Sequence, residues 1–376
     1  MKLKILQIIT RSDWAGGQKV LYSIAYGIKK YYPEQFDIEV ACGKENGALI
    51  SELEEIGVKV HIIDDLVREI SPIRDFKAFL QIKRLIKQGK YDVVHLHSSK
   101  AGFLGRIAAK LCKVKNIIYT VHGWWSIEQY QGFKRKLFIF AERFAAKFCN
   151  KIVLLCERDM EKAKAWKIGK ESQYVIIPNA IVPIGNVQKG KLRKELNLSR
   201  DIKIIGNVAR LDPPKNPLRF LEVAKATLKE RRDVVFVWIG GSVVEDTYGK
   251  KVEEWLKRHP QEAKYIHFLP FRKDAIELMA DFDVLLLTSD AEGMPLVVIE
   301  AQNLGIPVVS TDVGCVRELT SLISQDNGKL SELVLDALNE PKSKFYYSTF
   351  PYKDFVDSHI SLFRGEEENE RPGCSG

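Results

Sequence analysis

The feature that most constrains the fold is a regular alternation of short apolar runs with segments of helical periodicity. In the first half of the chain, apolar runs of strand length are separated by segments whose apolar residues recur every three or four positions. Strands that alternate with helices predict a doubly wound, mostly parallel α/β sheet. The predicted strands of this half are residues 3–10, 37–41, 58–63, 92–95, 116–121 and 151–155.

The alternation stops at residues 177–183 and then starts again. Two prolines and an asparagine interrupt the pattern there, and a Gly/Lys-rich stretch follows, as in a linker. A second series of strands is predicted at 203–208, 234–239, 265–269, 283–287 and 307–310. A chain of 376 residues is long for one domain. We therefore predict two domains, 1–182 and 183–350, with a terminal helix at about 352–364 and a disordered acidic tail at 365–376.

Composition and charge narrow the class of protein. The apolar content is 45% and no run approaches the length of a membrane span. The six cysteines contain no C-x-x-C pair and have the pattern of reduced residues in a cytoplasmic protein. Residues 1–183 contain 31 Lys and Arg against 19 Asp and Glu, a balance of +12, whereas residues 184–376 contain 27 against 30, a balance of −3. A basic half suits an anionic membrane or nucleic acid, but no nucleic-acid-binding motif is present, so we expect no nucleic-acid partner.

Two carboxylates eight residues apart mark the strongest candidate site. Glu292 and Glu300 flank a Gly-x-Pro that follows the apolar run at 283–287. Gly293 permits a sharp turn, Pro295 suits the first position of a helix, and no helix breaker follows before Gly305. Amide groups at the start of such a helix form a site for an anion. The carboxylates are then available for sugar hydroxyls or a ribose diol.

This stretch resembles the Glu-x7-Glu signature of the retaining family-4 glycosyltransferases. The usual form is close to E-G-x-P-L-x-x-x-E-A, and Glu292 and Glu300 occupy both acidic positions. The resemblance implies a GT-B fold, in which two Rossmann-like domains face each other across a central cleft and the terminal helix at about 352–364 packs back on the first domain. It also implies that Glu292 binds the donor sugar, that Glu300 binds the ribose, and that a diphosphate lies at the helix start. The donor-binding set expected there is Glu292, Gly293, Pro295, Leu296, Val297 and Glu300.

A second cationic segment follows the strand predicted at 203–208. Arg210 and Lys215 resemble the family's G-R-L-x-x-x-K-G segment, with Asn216 in place of the usual glycine. Two cations at this position can neutralise the charge that develops on a leaving diphosphate. The resemblance implies that they do so in catalysis, although the pattern alone also fits two surface charges on a proline-rich loop.

Two positions in the basic half carry further expectations. Gly16 and Gly17 lie between a strand and a helix, where the resemblance places them against the donor from the opposite domain. His122 follows a predicted strand, at the edge where parallel sheets bind ligands. The resemblance implies that His122 helps to bind the donor sugar in catalysis.

A third group of polar residues is harder to assign. We expect His95 and His97 to point to opposite faces of their strand, with His97, Ser98 and Ser99 on the acceptor side.

Asp281 and Asp283 mimic an Asp-x-Asp metal motif. We reject that interpretation, because Asp281 closes a helix, Asp283 opens a strand, and the resemblance implies charge neutralisation without a metal. No metal and no other cofactor is expected.

The segment 133–151 has a stripe of aromatic and aliphatic residues flanked by cations. We interpret the stripe as core. In the alternative, the cations rest on anionic headgroups and attach the basic half peripherally to the inner membrane face. The stripe consists of Phe133, Leu137, Phe140, Phe144 and Phe148.

These patterns fit a nucleotide-sugar site, and the resemblance implies a retaining hexosyltransferase. The donor is expected to be a nucleotide sugar, most simply a UDP-sugar, and the acceptor a glycan or lipid-linked glycan of surface polysaccharide synthesis. Two alternatives stay open: a nucleotide-sugar 2-epimerase of the same fold, and a catalytically silent partner subunit.

Overall fold

The structure is a computed structural model that describes residues 2–44, 47–241, 247–340 and 350–366. The chain divides into two compact units, Met1–Val182 with Phe350–Gly376, and Pro183–Thr349. The predicted disordered tail lies outside the described residues from residue 367 onwards.

The first unit contains a seven-stranded sheet whose neighbouring strands are all parallel. Its order, β3-β2-β1-β4-β5-β6-β7, changes direction between β1 and β4. The last strand has three residues and was not predicted, because it directly precedes the proline-containing segment 177–183 that was interpreted as a linker. The strands are β1 (Leu3–Ile9), β2 (Phe36–Cys42), β3 (Lys59–Ile62), β4 (Val93–His97), β5 (Asn116–Thr120), β6 (Lys151–Leu154) and β7 (Tyr174–Ile176).

Helices connect these strands and bury both faces of the sheet. Buried residues of α3, α4 and α6 share one apolar cluster with strands β1, β4, β5 and β6. Two glycines bring α4 close to the sheet: a Cβ at Gly105 would lie 2.2 Å from Leu96, and one at Gly102 would lie 2.4 Å from Tyr119. The helices are α1 (Gly16–Tyr31), α2 (Ala48–Glu55), α3 (Pro72–Gly89), α4 (Ser99–Leu111), α5 (Trp125–Glu128), α6 (Gly132–Ala146) and α7 (Glu157–Ala165).

The second unit repeats the plan with a five-stranded parallel sheet. Its order, β10-β9-β8-β11-β12, changes direction between β8 and β11. The strands are β8 (Lys203–Val208), β9 (Val234–Ile239), β10 (Ile266–Leu269), β11 (Val284–Leu287) and β12 (Val308–Ser310). The helices are α8 (Lys191–Glu195), α9 (Pro217–Glu230), α10 (Thr247–Arg258), α11 (Pro260–Ala263), α12 (Ala275–Met279), α13 (Leu296–Asn303) and α14 (Asn327–Asn339).

The last described helix, α15 (Tyr352–Arg364), belongs to the first unit. The Tyr352 hydroxyl donates to the carbonyl of Ser23 on α1 at 2.6 Å, and Val356 packs so closely on Gly27 that a Cβ there would clash. The Tyr32 hydroxyl donates to Asp357 at 2.6 Å. Helix α15 therefore packs on α1, where the sequence placed it.

Helix α6 departs from the prediction. Four of the five residues of the predicted core stripe are exposed, with Phe133 80% exposed and Phe140 66%, whereas Phe148, beyond the end of α6, is half-buried. The opposite side is buried at Glu142, Ala145 and Ala146, and Glu142 pairs at 2.6 Å with the fully buried Arg106 of α4. A buried arginine left without a partner would be costly, so this ion pair fixes which side of α6 faces the sheet. None of the helices among the described residues is long and apolar enough to cross a membrane.

Candidate active site

Each sheet brings its candidate residues to the carboxyl ends of the strands where the strand order changes direction. We call this place, the carboxyl ends of the strands where the strand order changes direction, the switch edge of the sheet. In parallel α/β sheets ligands bind there. Arg210 lies two residues beyond β8, and Glu292 follows β11, the neighbour of β8. In the first unit, His97 ends β4 and His122 lies two residues beyond the adjacent strand, β5.

An ion pair between Lys215 and Glu292 forms the centre of the site in the second unit. The Lys215 Nζ lies 2.5 Å from Oε1 of Glu292, and the Ser289 hydroxyl donates to the same oxygen at 2.6 Å. The Glu292 side chain is only 9% exposed and that of Lys215 is 22% exposed. The pair joins two loops separated by 77 residues in sequence. Glu292 is thus the counter-ion of Lys215 in this structure.

The loop that carries Lys215 is held in place by its own backbone conformation. Lys215 ends a short 3₁₀ turn, and Asn216 after it has φ 47° and ψ 64°. Glycine and asparagine tolerate this left-handed region best, so Asn216 preserves the loop shape that the family's glycine provides. The Asn216 side chain also caps α9 by accepting from the Arg219 amide at 3.0 Å, and it donates to Asp290 at 2.9 Å.

Arg210, the second predicted cation, is also paired. Its guanidinium lies 2.8 Å from a carboxylate oxygen of Asp212, and its side chain is 40% exposed. Because this pair is partly exposed to solvent, its contribution to stability is small. Both cations expected to bind a diphosphate are therefore carboxylate-paired and close to the switch edge.

Helix α13 begins one residue later than predicted. Pro295 is the capping residue, with an extended ψ of 119°, and Leu296 is the first helical residue. Glu300 lies in the second turn and is 5% exposed, so only a small part of its carboxylate reaches solvent. The loop after β12 approaches the start of the motif: the Cys315 amide donates to the Gly293 carbonyl at 2.8 Å. A Cβ at Gly314, where φ is 50°, would lie 2.1 Å from the same oxygen, so only glycine fits there.

In the first unit, the predicted glycine pair meets the predicted histidine. Gly16 and Gly17 begin α1, and a Cβ added to Gly17 would lie 3.4 Å from Cδ2 of His122. Burial lowers the pKa of His122 to about 4, because desolvation disfavours the charged ring. His122 is therefore neutral at pH 7 and can both donate and accept a hydrogen bond.

His97 is in contact with His122 rather than with solvent. The two rings lie edge to edge and nearly parallel, with an angle of 22° between their planes and centroids 5.2 Å apart, and Nδ1 of His97 lies 2.9 Å from Nε2 of His122. The expectation that His95 and His97 point to opposite faces is wrong, since residues two apart in a strand share a face and these rings lie 4.2 Å apart. Because His97 is fully buried, the structure gives no support to its expected position on the acceptor side.

Ser98 and Ser99 form the junction between β4 and α4. Ser98 has φ 64° and ψ 153°, a region that side chains rarely adopt and that costs about 1–3 kcal/mol. Its hydroxyl lies 2.7 Å from that of Thr10 and accepts from the Thr10 amide at 3.2 Å. These contacts join the ends of β1 and β4, and strain at such a position is common near functional sites. The acceptor-side role expected for Ser98 and Ser99 stays a prediction.

The two aspartates of the Asp-x-Asp pattern have structural partners in the second unit. Asp281 accepts from the amides of Leu192 at 2.8 Å and Arg193 at 3.2 Å, so it caps α8. Asp283 lies 3.1 Å from the Arg193 guanidinium and accepts from the Ile204 amide at 2.9 Å. Both carboxylates are occupied in joining α8 to the sheet.

Several residues that shape the site were missed by the sequence analysis. Ser289, Asp290 and Gly314 each hold the motif loop, and Thr288 donates to the Asn216 carbonyl at 3.2 Å. They follow β11 or β12, so their position at strand ends was a usable signal. Their partners, however, lie on other loops that only the folded chain brings near.

Comparison with known proteins agrees with this geometry. A family described as "Glycosyltransferase Family 4" matches residues 15–183, and "Glycosyl transferases group 1" matches residues 188–336. The chain is 35% identical over 294 residues to a UDP-Gal:alpha-D-GlcNAc-diphosphoundecaprenol alpha-1,3-galactosyltransferase of Escherichia coli, covering 74% of this chain and 72% of that protein. It is 26% identical to an N,N'-diacetylbacillosaminyl-diphospho-undecaprenol alpha-1,3-N-acetylgalactosaminyltransferase of Campylobacter jejuni, covering 72% of each chain.

The fold is also that of a solved structure, Anabaena Alr3699/HepE in complex with UDP-glucose. The TM-score is 0.77 at 19% identity, with 96% of this chain and all of that chain (100%) covered. The expected GT-B fold, built from two Rossmann-like domains, is confirmed, and so is the expectation of a glycosyltransferase. The chain belongs to the family-4 glycosyltransferases.

Proposed function

We propose that this protein transfers a hexosyl unit from a UDP-sugar to a lipid-linked glycan during synthesis of a cell-surface polysaccharide, with retention at the anomeric carbon. The names of the Escherichia coli and Campylobacter jejuni relatives specify undecaprenol-diphosphate acceptors, and the first specifies a UDP-sugar donor. The observation that carries the proposal for this chain is the Lys215–Glu292 pair at the switch edge of the second sheet.

The charge of each site residue determines which part of the donor it binds. Lys215 and Arg210 receive the diphosphate, whose negative charge grows as the bond to the sugar breaks. The amide groups at the start of α13, around Gly293, Pro295, Leu296 and Val297, receive the same anion. Glu292, freed from part of its ion pair, and Glu300 accept hydrogen bonds from sugar and ribose hydroxyls.

In the first unit, Gly16, Gly17 and His122 contact the donor, and the neutral ring of His122 forms a hydrogen bond with a hydroxyl of the sugar. No metal is required in this scheme, because two cations and helix amides neutralise the diphosphate. Departure and attack take place on the same face of the sugar, and the leaving phosphate assists deprotonation of the acceptor hydroxyl.

The test begins with the donor. UDP-, GDP- and ADP-sugars are compared by thermal shift, since a ligand of the folded state raises the melting temperature. Transfer is then measured with radiolabelled donor and an undecaprenol-diphosphate-linked acceptor. We expect Lys215→Ala and Glu292→Ala to lower transfer by about 100-fold or more. Lys225→Ala is the matched control, because Lys225 is a partly buried lysine of the same unit that pairs with His259 at 3.0 Å. Unchanged transfer in both site variants would refute the assignment.

We further propose that the first unit binds the cytoplasmic face of the membrane peripherally through α6. Phe133, Leu137, Phe140 and Phe144 lie at helical spacing and are 80%, 54%, 66% and 41% exposed. Apolar stripes of this kind on a monomer surface commonly mark an interaction site. Exposed cations of the same helix, such as Lys134 and Lys136, suit anionic headgroups.

Liposome flotation tests this attachment. The protein is expected to float with vesicles that contain anionic lipid and to bind zwitterionic vesicles less. The Phe133→Asp/Phe140→Asp variant should lose binding by about tenfold or more, because each buried phenylalanine contributes about 1.5–3 kcal/mol. Phe271→Asp is the control, since Phe271 is 65% exposed in the second unit. Equal binding of all three proteins would contradict the proposal.

A further inference from the structure

Four histidines of the first unit form a cluster that the proposed chemistry uses only in part. His95 and His97 lie on β4, His122 follows β5, and His359 lies on α15. The rings of His95 and His359 are 5.8 Å apart, so the cluster runs from the terminal helix to the site. His95, His97 and His359 are at most 1% exposed. Of the four, only His122 has a role in the proposed function. The role of His97, whose ring bonds that of His122, is not explained by that function.

The hydrogen bond between His97 and His122 links the protonation of the two rings. Burial lowers the pKa of both, so both imidazoles are neutral at pH 7 and each carries one N–H. At 2.9 Å, Nδ1 of His97 and Nε2 of His122 can share only one proton. The tautomer of His97 therefore sets the tautomer of His122.

The surroundings of His97 indicate which nitrogen carries the proton. Among the described residues, Nε2 of His97 is buried and has no hydrogen-bond partner. This nitrogen is unpaired in either tautomer, but a buried N–H without an acceptor is rarer in proteins than a buried acceptor without a donor. With the proton on Nδ1 instead, His97 donates to Nε2 of His122, and the proton of His122 must lie on its own Nδ1.

The packing of His122 agrees with this orientation. The Nε2 atom of the ring bonds His97 at 2.9 Å, and a Cβ at Gly17 would lie 3.4 Å from Cδ2, 3.6 Å from Cγ and 3.7 Å from Nε2. The Nδ1 atom lies on the other side of the ring. That leaves Nδ1–H as the donor that the ring can offer to a sugar hydroxyl.

We propose that His97 is a positioning residue, which holds the ring of His122 and keeps it in the Nδ1–H tautomer. This inference rests on the proposed function of His122 and adds the residue that orients it. A hydrogen bond from one neutral ring to another specifies a tautomer that isolated histidine does not favour. His97 itself does not touch the substrate.

The experiment uses the full-length protein with ¹⁵N-labelled histidine. Long-range proton–nitrogen correlation spectra identify which ring nitrogen of His122 is protonated, with His122→Gln used for assignment. Wild type is expected to show a protonated Nδ1. His97→Asn places an amide donor near the position of Nδ1 and should keep this tautomer. His97→Phe keeps a ring without a donor, and His122 should shift towards the Nε2–H form.

Transfer rates give a second readout. His97→Phe should lower kcat about tenfold with little change in KM for the UDP-sugar, the expected effect of one hydrogen bond. His97→Asn should restore most of the rate. His95→Phe is the control: His95 is equally buried and contacts His97, but its Nε2 bonds Thr120 at 2.7 Å. It should lower the melting temperature without changing the tautomer of His122.

The two possible failures can be told apart. An Nε2–H signal for His122 in the wild type, or identical spectra in wild type and His97→Phe, would overturn the role of His97 whatever the activity. So would a His97→Asn variant as slow as His97→Phe. Absence of transfer with every UDP-sugar in the wild type would instead refute the proposed function. The spectra would then still test whether His97 sets the tautomer of His122.

Discussion

The two units of this protein place polar residues at the same point of similar sheets but give them opposite electrostatics. At the switch edge of the first unit lie neutral histidines, and His97 is completely buried. At the switch edge of the second unit lie cations paired with carboxylates, and the side chains of Lys215 and Arg210 are 22% and 40% exposed. A strand-order switch thus determines where a site forms, while the depth of burial determines which chemistry it can carry.

Burial explains the contrast. An ionised ring inside the first unit would lose its hydration without gaining a counter-charge, so desolvation lowers the pKa of His95, His97, His122 and His359. The cations of the second unit keep both water and a carboxylate partner. We propose that a phosphate can take the place of that carboxylate. The first unit is suited to hydrogen bonds with a neutral sugar, and the second to an anion.

The largest expected effect tests this division directly. Lys215→Met should weaken UDP binding by about 10- to 100-fold, the range for a hydrogen bond to a charged group. His122→Phe should change UDP affinity by less than about threefold, because a neutral ring offers the anion little. Isothermal titration calorimetry with UDP measures both. Equal losses in the two variants would remove the electrostatic contrast between the units.

The next largest effect concerns the stability of the first unit at low pH. Each clustered histidine has a folded pKa below its ordinary value of 6.5, and those of His122 and His359 are lowered to about 4. The unfolded chain therefore binds more protons, and stability is complete above pH 6.5 and falls as the pH drops from 6.5 towards 4. We expect the melting temperature to fall by more than about 5 °C between pH 7 and pH 5.

The variant His359→Leu provides the comparison for this pH dependence. Leucine fills a buried site without a titrating group, so the decrease in melting temperature between pH 7 and pH 5 should be smaller than in the wild type. An identical decrease would show that other groups cause it.

The smallest effect concerns the loop of the second unit. Asn216→Gly should change the free energy of unfolding by only a few tenths of a kcal/mol, because glycine accepts the left-handed conformation and is tolerated as a cap. Asn216→Ala should cost about 2 kcal/mol, since it loses the cap and strains the backbone. Urea denaturation distinguishes the two. Equal stabilities would mean that the conformation of Asn216 does not hold the Lys215 loop.

Much of this protein could be predicted from local sequence. The alternation of apolar runs and helical periodicity predicted both parallel sheets, since each element's pattern depends on a few consecutive residues. The spacing of Glu292 and Glu300 across the start of a helix indicated the family and the fold. The three-residue strand β7 and the one-residue error at Pro295 show the limits of such local patterns.

The tertiary structure decided the rest, because it depends on contacts between distant residues. Lys215 meets Glu292 across 77 residues, and His97 meets His122 only because β4 and β5 pair with His97 opposite Thr120. The apolar stripe of α6 predicted a core face, yet the buried Arg106–Glu142 pair turned that stripe outwards. Periodicity shows that a helix has an apolar face, but the partners of the other face determine which one is buried.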